Sequence, residues 1–278
     1  MALLPLGLPV QEIWDQILDL LDRARDLKSC ALVSRSLTPR AQSHLFHDII
    51  LAKPNDDPGR WDDGAACRRL FSIFATSPHL TRCIRCISIP FSLDILTHVG
   101  GMALPRLREI QFCDSTAKHF SREEDPSFAT LDLAHGLIAL PSVRSVHIDV
   151  QKWPFERDGP GFASRVMSRL FRNSTSHIEI LKATSLGLRD SHTQEDPAPP
   201  ELTTLPTTRA SMKSLRVASS PEIGEYLTNP GCPFDFSLIE DVQIPGSMAP
   251  AIHRILEGAR FKIKRIECSA RHFTQYPR

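Results

Sequence analysis

The residues of this chain with the greatest chemical potential are its cysteines and histidines. Cys83-x-x-Cys86 resembles half of a zinc site, but no second Cys or His pair follows at a matching spacing. In a strand, residues three apart point to opposite faces, so these two thiols would diverge. His44-x-x-His47 lies on a predicted helical face, where ordinary exposed histidines are the commoner outcome. The sequence therefore predicts no metal centre, no cofactor and a melting temperature that is indifferent to chelators.

A thiol–imidazole pair is a second chemical candidate, because Cys113 and His147 fall on neighbouring predicted strands. No oxyanion-hole element is recognisable beside them. The motifs G-x-G-x-x-G, G-x-x-x-x-G-K-[ST], G-x-S-x-G and H-E-x-x-H are also absent. We therefore predict that the chain is not an enzyme, and an unrecognised hydrolase is the alternative that the sequence leaves open.

The elements that position these residues follow from a short apolar pattern, Ω-x-x-Ω-x-Ω, where Ω is apolar. Its middle positions recur at intervals of 23 to 36 residues. The last two Ω residues of each unit are two apart, so they share one face of a strand. The seven units are Ile84-Ile87-Ile89, Leu107-Ile110-Phe112, Val143-Val146-Ile148, Ile178-Leu181-Ala183, Met212-Leu215-Val217, Ile239-Val242-Ile244 and Ile263-Ile266-Cys268.

Helical periodicity fills several of the intervals between these units. The segments 67–75, 92–99, 128–140, 162–171 and 252–259 all carry apolar residues at helical spacing. Repeated alternation of strand and helix predicts an α/β fold, an irregular leucine-rich-repeat solenoid with a parallel sheet on its concave face and helices outside. Two polar stretches, Asp114–Ser127 and Arg189–Ser211, exceed the usual repeat length and are predicted to be surface insertions.

The N-terminal region, Leu8 to Leu51, predicts three short helices. The first carries apolar residues over an arc of roughly 160°, wider than the usual stripe of about 100°. Asp26 is a candidate cap for the second helix, and Thr38-Pro39 is a candidate N-cap and first residue for the third. Three helices of this length make a very small core. The wide apolar face of the first helix is therefore expected to pack against a partner.

This region resembles the F-box, especially its fungal form. The resemblance rests on Leu8-Pro9-x-x-Glu12-Ile13-x-x-x-Ile17-Leu18 and on Leu27-x-x-Cys30-Ala31-Leu32-Val33-Ser34-Arg35-Ser36, and a segment like Pro39-Arg40-Ala41-x-x-x-Leu45-Phe46-x-x-Ile49 often follows the motif. It covers about 44 of the 278 residues. One residue departs from the pattern: Leu37 stands where an aromatic residue, usually Trp, is common.

The resemblance implies that residues 1–52 form an F-box-like module that binds a Skp1-like adaptor and, through it, a cullin. It also implies the adaptor contacts, Leu8, Pro9, Ile13, Ile17, Leu32 and Val33. Residues 53–66 are a predicted linker and residues 67–278 the repeat array. The function this implies is substrate recognition in an SCF-type ubiquitin ligase. The alternative is a protein-interaction scaffold whose F-box is vestigial and independent of ubiquitylation.

A row of polar residues is predicted to cross the concave face of the sheet and to bind an unknown protein substrate. Each member lies between the last two Ω residues of a unit, so it points away from the core. The row comprises Gln111, His147, Lys182, Arg216, Gln243 and Glu267, with Glu109, Asp149, Asp241 and Arg265 beside it. Lys182 and Arg216 at its middle favour an acidic or phosphorylated element in the ligand.

Composition limits the remaining possibilities. The chain is 41% hydrophobic and 23% charged with a net charge of +1, which disfavours disorder, nucleic-acid binding and attraction to anionic membranes. Residues 1–10 lack the positive start of a signal peptide, and no stretch is long and apolar enough to span a bilayer. Seven cysteines, an odd number, fit reduced thiols in the cytoplasm or the nucleus.

Overall fold

The computed structural model describes residues 10–51, 63–113, 128–150, 162–172, 177–186, 209–217, 221–229, 231–245, 249–259 and 262–269. The helices are α1 Val10–Asp19, α2 Ala24–Val33, α3 Thr38–Leu45, α4 Asp63–Thr76, α5 Leu93–Gly100, α6 Phe128–Ile138, α7 Phe162–Leu170, α8 Pro221–Thr228 and α9 Ala249–Ala259, with a 3₁₀ turn at Pro78–Cys83. The strands are β1 Asp48–Ile50, β2 Cys86–Pro90, β3 Glu109–Cys113, β4 Ser145–Val150, β5 Ile180–Leu186, β6 Ala210–Ser211, β7 Ser214–Val217, β8 Phe234–Asp235, β9 Asp241–Pro245 and β10 Arg265–Ser269.

Eight of these strands form one parallel sheet in the order β1-β2-β3-β4-β5-β7-β9-β10. The order follows the chain, so each strand pairs with the next unit along the sequence. All seven predicted strands are present, and the coarse prediction of an α/β fold with a parallel sheet is confirmed. The short strands β6 and β8 pair separately.

The helices that return the chain between strands pack side by side. Contacts run from α5 to α6, from α6 to α7, from α7 to α8 and from α8 to α9. Parallel crossovers of one hand between successive neighbouring strands place all such helices on the same face of a sheet. The second face of the sheet therefore carries no helix among the described residues, and we call it the open face.

The core lies between the sheet and these helices. The Ω residues of the strands are almost completely buried; Ile110, Phe112, Val146 and Ile148, for example, are all 0% exposed. Burying one such side chain contributes about 1.5–3 kcal/mol. Ile266 lies opposite buried Val242 and so is on the core side of the sheet as predicted, but it is 45% exposed because β10 is the edge strand.

A repeated backbone contact joins successive units at the start of each strand. The carbonyl of His47 accepts hydrogen bonds from the amides of Arg85 and Cys86, at 2.9 and 3.1 Å. Arg85 accepts from Arg108 and Glu109 in the same way, at 2.7 and 3.0 Å. The same two-donor contact recurs at Arg108, Arg144, Glu179, Lys213 and Glu240. His47 therefore stands at the start of an eighth unit, whose strand is β1.

The helix starts in the N-terminal module differ from the sequence predictions. Asp26 lies in the first turn of α2, whose N-cap residue is Arg23. Thr38 is the first helical residue of α3 and not its cap, which is Leu37; the Thr38 hydroxyl donates to the carbonyls of Ala31 and Ser34 at 2.9 and 3.1 Å. Threonine hydroxyls often bond a nearby backbone carbonyl, and this bond competes with capping.

Other differences concern segments between the strands. Residues 63–66, assigned to the predicted linker, begin α4, and Cys83 ends a 3₁₀ turn and does not lie in a strand. Helix α8 was not predicted, although Ile223, Tyr226 and Leu227 have helical spacing and are each 1% exposed. The predicted insertion Asp114–Ser127 lies outside the described residues, as does Arg189–Ser211 up to residue 208, and its end forms β6.

We expect Tyr226→Phe to leave the free energy of unfolding unchanged or to raise it by up to about 1 kcal/mol. Tyr226 is 1% exposed, packs edge-on against Phe234 at 6.4 Å, and its hydroxyl has no hydrogen-bond partner among the described residues. Burial raises the pKa of this hydroxyl well above 10.0. Denaturant unfolding measures the effect. A loss above about 1 kcal/mol would reveal a partner for the hydroxyl and contradict the prediction.

Candidate functional site

The first candidate surface is a set of exposed apolar side chains on the N-terminal module, which we call the docking face. It comprises Ile13, Trp14 and Ile17 on α1 with Leu32 and Val33 at the end of α2. Their exposed fractions are 45%, 46%, 41%, 88% and 80%. Large apolar side chains exposed together on one small module mark an interaction surface more often than singly scattered ones do.

The docking face is exposed because the module has few residues with which to cover it. Among the described residues, its own buried core cluster consists of Leu18, Leu27 and Leu37. Only one side of the apolar arc of α1 turns toward that core, since Leu18 is 1% exposed while Ile17 is 41% exposed. The prediction that this arc is wider than the module can bury agrees with these exposures.

Two contacts fix the direction of α1 across the module. At its start, the Gln11 side-chain amide donates to the carbonyl of Ser36, at 3.3 Å, just beyond the end of α2. At its end, Asp19 accepts from Arg40 Nε at 2.7 Å and contacts His44 Nε2 at 2.8 Å. The hydrogen bond from Arg40, followed by that from His44, lowers the pKa of Asp19 to about 2. The start of α1 therefore lies at the same end of the module as Leu32 and Val33.

The sequence prediction of adaptor contacts maps only partly onto this surface. Leu8 and Pro9 lie outside the described residues. Ile13, Ile17, Leu32 and Val33 all lie on the docking face. Trp14 was not among the predicted contacts, although it lies on the same apolar arc and Trp is enriched at energetically dominant interface positions. Leu37, where an aromatic residue is common in F-boxes, is 7% exposed and belongs to the module core.

The second candidate surface is the open face of the sheet. The strand register places Gln111 opposite His147, His147 opposite Lys182, and Lys182 opposite Arg216. It continues from Arg216 through Gln243 to Glu267. The six predicted residues therefore form one row, which we call the central row, and each is half-buried. Ser88 and Ile50 extend the row onto β2 and β1.

Ion pairs within the open face reduce its positive charge. Arg216 Nη2 lies 3.6 Å from Asp241 Oδ2, and Arg265 Nε donates to Glu267 Oε1 at 2.8 Å. Burial, and secondarily the charge of Lys182, lowers the pKa of His147 below 6.5, although Asp149 and Glu109 oppose this shift. This shift favours the neutral form of the His147 imidazole. The basic character predicted for the middle of the row thus rests more on Lys182 than on Arg216.

A third group of polar side chains lies at the first two strands of the open face. Asp48 is opposite Cys86, and Cys86 is opposite Glu109. His47 Nδ1 lies 2.6 Å from Asp48 Oδ1, and the ligand-type atoms of His47, Asp48 and Cys86 all lie within 4.8 Å of one another. Burial, followed by the hydrogen bond to Asp48, raises the pKa of the Cys86 thiol to about 12.

Two chemical pairs were considered from the sequence, His44 with His47 and Cys113 with His147. His44 contacts Asp19, whereas His47 lies beyond the end of α3 beside Asp48. Cys113 is opposite Asp149 and its thiol lies 3.4 Å from the Ser88 hydroxyl, while His147 is opposite Gln111. The proximity of His47 to Cys86 was not predicted from the sequence, because it depends on strand β1, which was not predicted either.

A scan of the chain against models of known protein families gave no match, and a search of curated proteins gave none either. Within the part of the chain that the structure describes, none of the helices has the length and apolar character needed to cross a membrane.

Proposed function

We propose that this chain is a substrate-recognition subunit of an SCF-type ubiquitin ligase. In this proposal the N-terminal helices form an F-box-like module that binds a Skp1-like adaptor and, through it, a cullin. The sheet region binds the protein to be ubiquitylated. The chain itself performs no chemistry; it raises the local concentration of the target near the catalytic subunits.

The observation that carries the proposal is the docking face. Among its described residues, the module has a core of three buried leucines and leaves Ile13, Trp14 and Ile17 41–46% exposed on one helix. Leaving this apolar area in water is unfavourable, so a partner that covers it gains the corresponding free energy. The sequence of α1 and α2 resembles the F-box, and the resemblance implies adaptor contacts at two of these exposed residues, Ile13 and Ile17.

The sheet region supports the second half of the proposal. Eight strands in sequence order, one two-donor carbonyl contact per unit and helices on a single face are features expected of an irregular leucine-rich-repeat solenoid. In such arrays the strands line the concave surface, where partners bind. A half-buried row of mixed polar and charged side chains suits a protein or peptide better than an apolar small molecule.

We expect the double variant Ile17→Glu/Leu32→Glu to lose at least about 100-fold in affinity for a Skp1-like adaptor. Each buried interface anchor typically contributes about 2 kcal/mol or more, which corresponds to about 30-fold. Both residues are exposed in the isolated chain, so folding is expected to persist. Titration calorimetry with purified adaptor measures the affinity, and circular dichroism confirms that the helices remain.

Leu256→Glu on α9 is the matched control, because Leu256 is 44% exposed and lies far along the chain from the docking face. It should change adaptor affinity less than twofold. Leu8→Ala/Pro9→Ala tests the remaining predicted contacts in the same assay. If the wild-type chain does not bind the adaptor, the scaffold alternative is favoured; equal losses in the double variant and the control would remove the docking face from the proposal.

A further inference from the structure

The junction between the N-terminal module and the sheet brings three metal-ligand side chains together. His47 and Asp48 are adjacent in the chain at the start of β1, and Cys86 starts β2. One imidazole nitrogen, one carboxylate oxygen and the thiol sulfur lie within 4.8 Å of one another. His47 and Asp48 come from one segment, and Cys86 comes from another segment, 38 residues after Asp48. No motif and no family resemblance suggested that these three residues would converge.

We propose that His47, Asp48 and Cys86 form a zinc-binding site. Imidazole, thiolate and carboxylate are the three types of ligand that zinc takes in proteins. In a tetrahedral zinc site with bonds of about 2.0–2.3 Å, neighbouring ligand atoms lie roughly 3.3–3.7 Å apart. Here the His47 Nδ1–Asp48 Oδ1 distance is 2.6 Å and the largest separation in the group is within 4.8 Å. The 2.6 Å contact is a hydrogen bond, so the imidazole and the carboxylate must move apart by about 0.7 Å for a zinc ion to bind between them.

The backbone of the site is already fixed, so only side chains need to adjust. The carbonyl of His47 accepts from the amides of Arg85 and Cys86, which holds the two segments together. Asp48 and Cys86 are directly opposite in the parallel register and so point to the same open face. The side chains of His47 and Asp48 are 42% and 64% exposed, which leaves them room to rotate toward an ion.

The electrostatic surroundings favour a cation. Glu109 lies opposite Cys86 on the next strand, so Asp48 and Glu109 place two carboxylates on either side of the thiol. Arg85 opposes them from the neighbouring position in the chain. A divalent ion supplies the positive charge that lets the thiol ionise and bind as thiolate. Three protein ligands leave a fourth position for water on the open face, as in zinc sites that are not fully closed.

Zinc binding at this site means that a chelator lowers the melting temperature, contrary to the sequence prediction that chelators have no effect on it. A zinc ion bound to β1 and β2 would join the end of the N-terminal module to the first strands of the sheet. It would therefore stabilise the folded chain in proportion to its binding free energy.

The test uses the full chain, reduced and freed of metal with a chelator, then titrated with zinc or cobalt chloride. The expected result is one zinc per chain by mass spectrometry of metals after dialysis, with a zinc-dependent rise of several degrees in melting temperature. Cobalt should give the near-ultraviolet band of a thiolate-bound ion. Cys86→Ser and Asp48→Asn should each weaken zinc binding by roughly 100-fold or more, because each removes one of three protein ligands.

Cys83→Ser is the matched control, because Cys83 is also a half-buried thiol and lies three residues from Cys86. It should bind zinc as the wild type does. Absence of stoichiometric zinc in the wild-type chain, or equal losses in Cys83→Ser and Cys86→Ser, would overturn the proposal. If Cys86→Ser fails to fold, the cobalt band in the wild type and its loss in Asp48→Asn decide the question, and a wild-type cobalt complex without a thiolate band counts against the site.

Discussion

Phe112→Ala is expected to lower the free energy of unfolding by about 3–5 kcal/mol, the cost of truncating a fully buried aromatic residue. Phe112 is 0% exposed on β3 and packs edge-on against Phe91, with ring centroids 5.8 Å apart and planes at 73°. The strands on both sides cover it, since Ile89 and Ile148 are opposite it in the register. Neither neighbour can move into the cavity without breaking the pairing of the sheet. Denaturant unfolding of the full chain measures the loss.

Gln111→Ala is the control for this prediction, because the adjacent residue on the same strand points to the open face. Truncation of a surface side chain there should change stability by no more than about 0.5 kcal/mol. Similar losses at positions 111 and 112 would mean that the strand does not separate a core face from an open face. The assignment of the central row would then fail together with the core assignment.

Strand positions could be predicted because burial imposes a period of two on the sequence. Each unit places two apolar residues on the helix-covered face, and any slip by one residue would expose both of them. The sheet thus follows from hydrophobic spacing without knowledge of its partners. The strand order could be predicted as well, since short crossovers between parallel strands favour neighbours in sequence.

Strand β1 shows where this reasoning is ambiguous. Phe46, Ile49 and Leu51 repeat the same apolar pattern 38 residues before the unit centred on Ile87. This segment was predicted to belong to the N-terminal module, because it is also part of the F-box resemblance. The structure places Ile49 and Leu51 in the large core with the sheet, so the same residues satisfy both patterns. One local pattern cannot decide which of two neighbouring cores a residue joins.

The candidate sites also differ in whether they could be predicted from the sequence. The central row could be predicted because it depends only on strand period and register. Ion pairing across that row could not, because the Arg216–Asp241 contact depends on side-chain conformation between two strands. The cluster of His47, Asp48 and Cys86 required the pairing of β1 with β2, two segments with 35 residues between them. Helix starts were misplaced by one to three residues, because the Thr38 hydroxyl bonds the carbonyls of Ala31 and Ser34 and Asp26 lies within the first turn of α2.

The ion pairs of the open face also change what its central row can bind. Arg216 is already compensated by Asp241, and Arg265 by Glu267. Lys182 stands between His147, whose pKa is lowered by burial, and paired Arg216 in the register. An acidic group of a target that reaches this position can bind Lys182 directly and draw Arg216 away from Asp241. Under the proposed function, the predicted preference for an acidic or phosphorylated element would therefore depend on both residues, with Lys182 providing the first contact.

Under the proposed function, Lys182→Glu/Arg216→Glu is expected to abolish binding of the specific target proteins while adaptor affinity stays within twofold of the wild type. Truncating one partner of a charge pair buried at an interface typically costs about 2–5 kcal/mol, and reversal adds repulsion from an acidic ligand. The docking face lies on α1 and α2, which these substitutions do not touch. Affinity purification of both chains followed by quantitative mass spectrometry compares the bound proteins, and calorimetry measures the adaptor.

Lys213→Glu/Lys264→Glu is the matched control, since it changes the net charge equally. Lys213 and Lys264 are exposed and paired with Glu179 and Glu240, each at 2.8 Å, just before β7 and β10. Proteins held by nonspecific attraction to basic groups should be lost from both double variants, whereas a target of the central row should be lost only with Lys182 and Arg216. If the two variants retain the same specific proteins as the wild type, the target binds outside the central row. Reversing a half-buried charge beneath a bound protein would change the affinity for that protein.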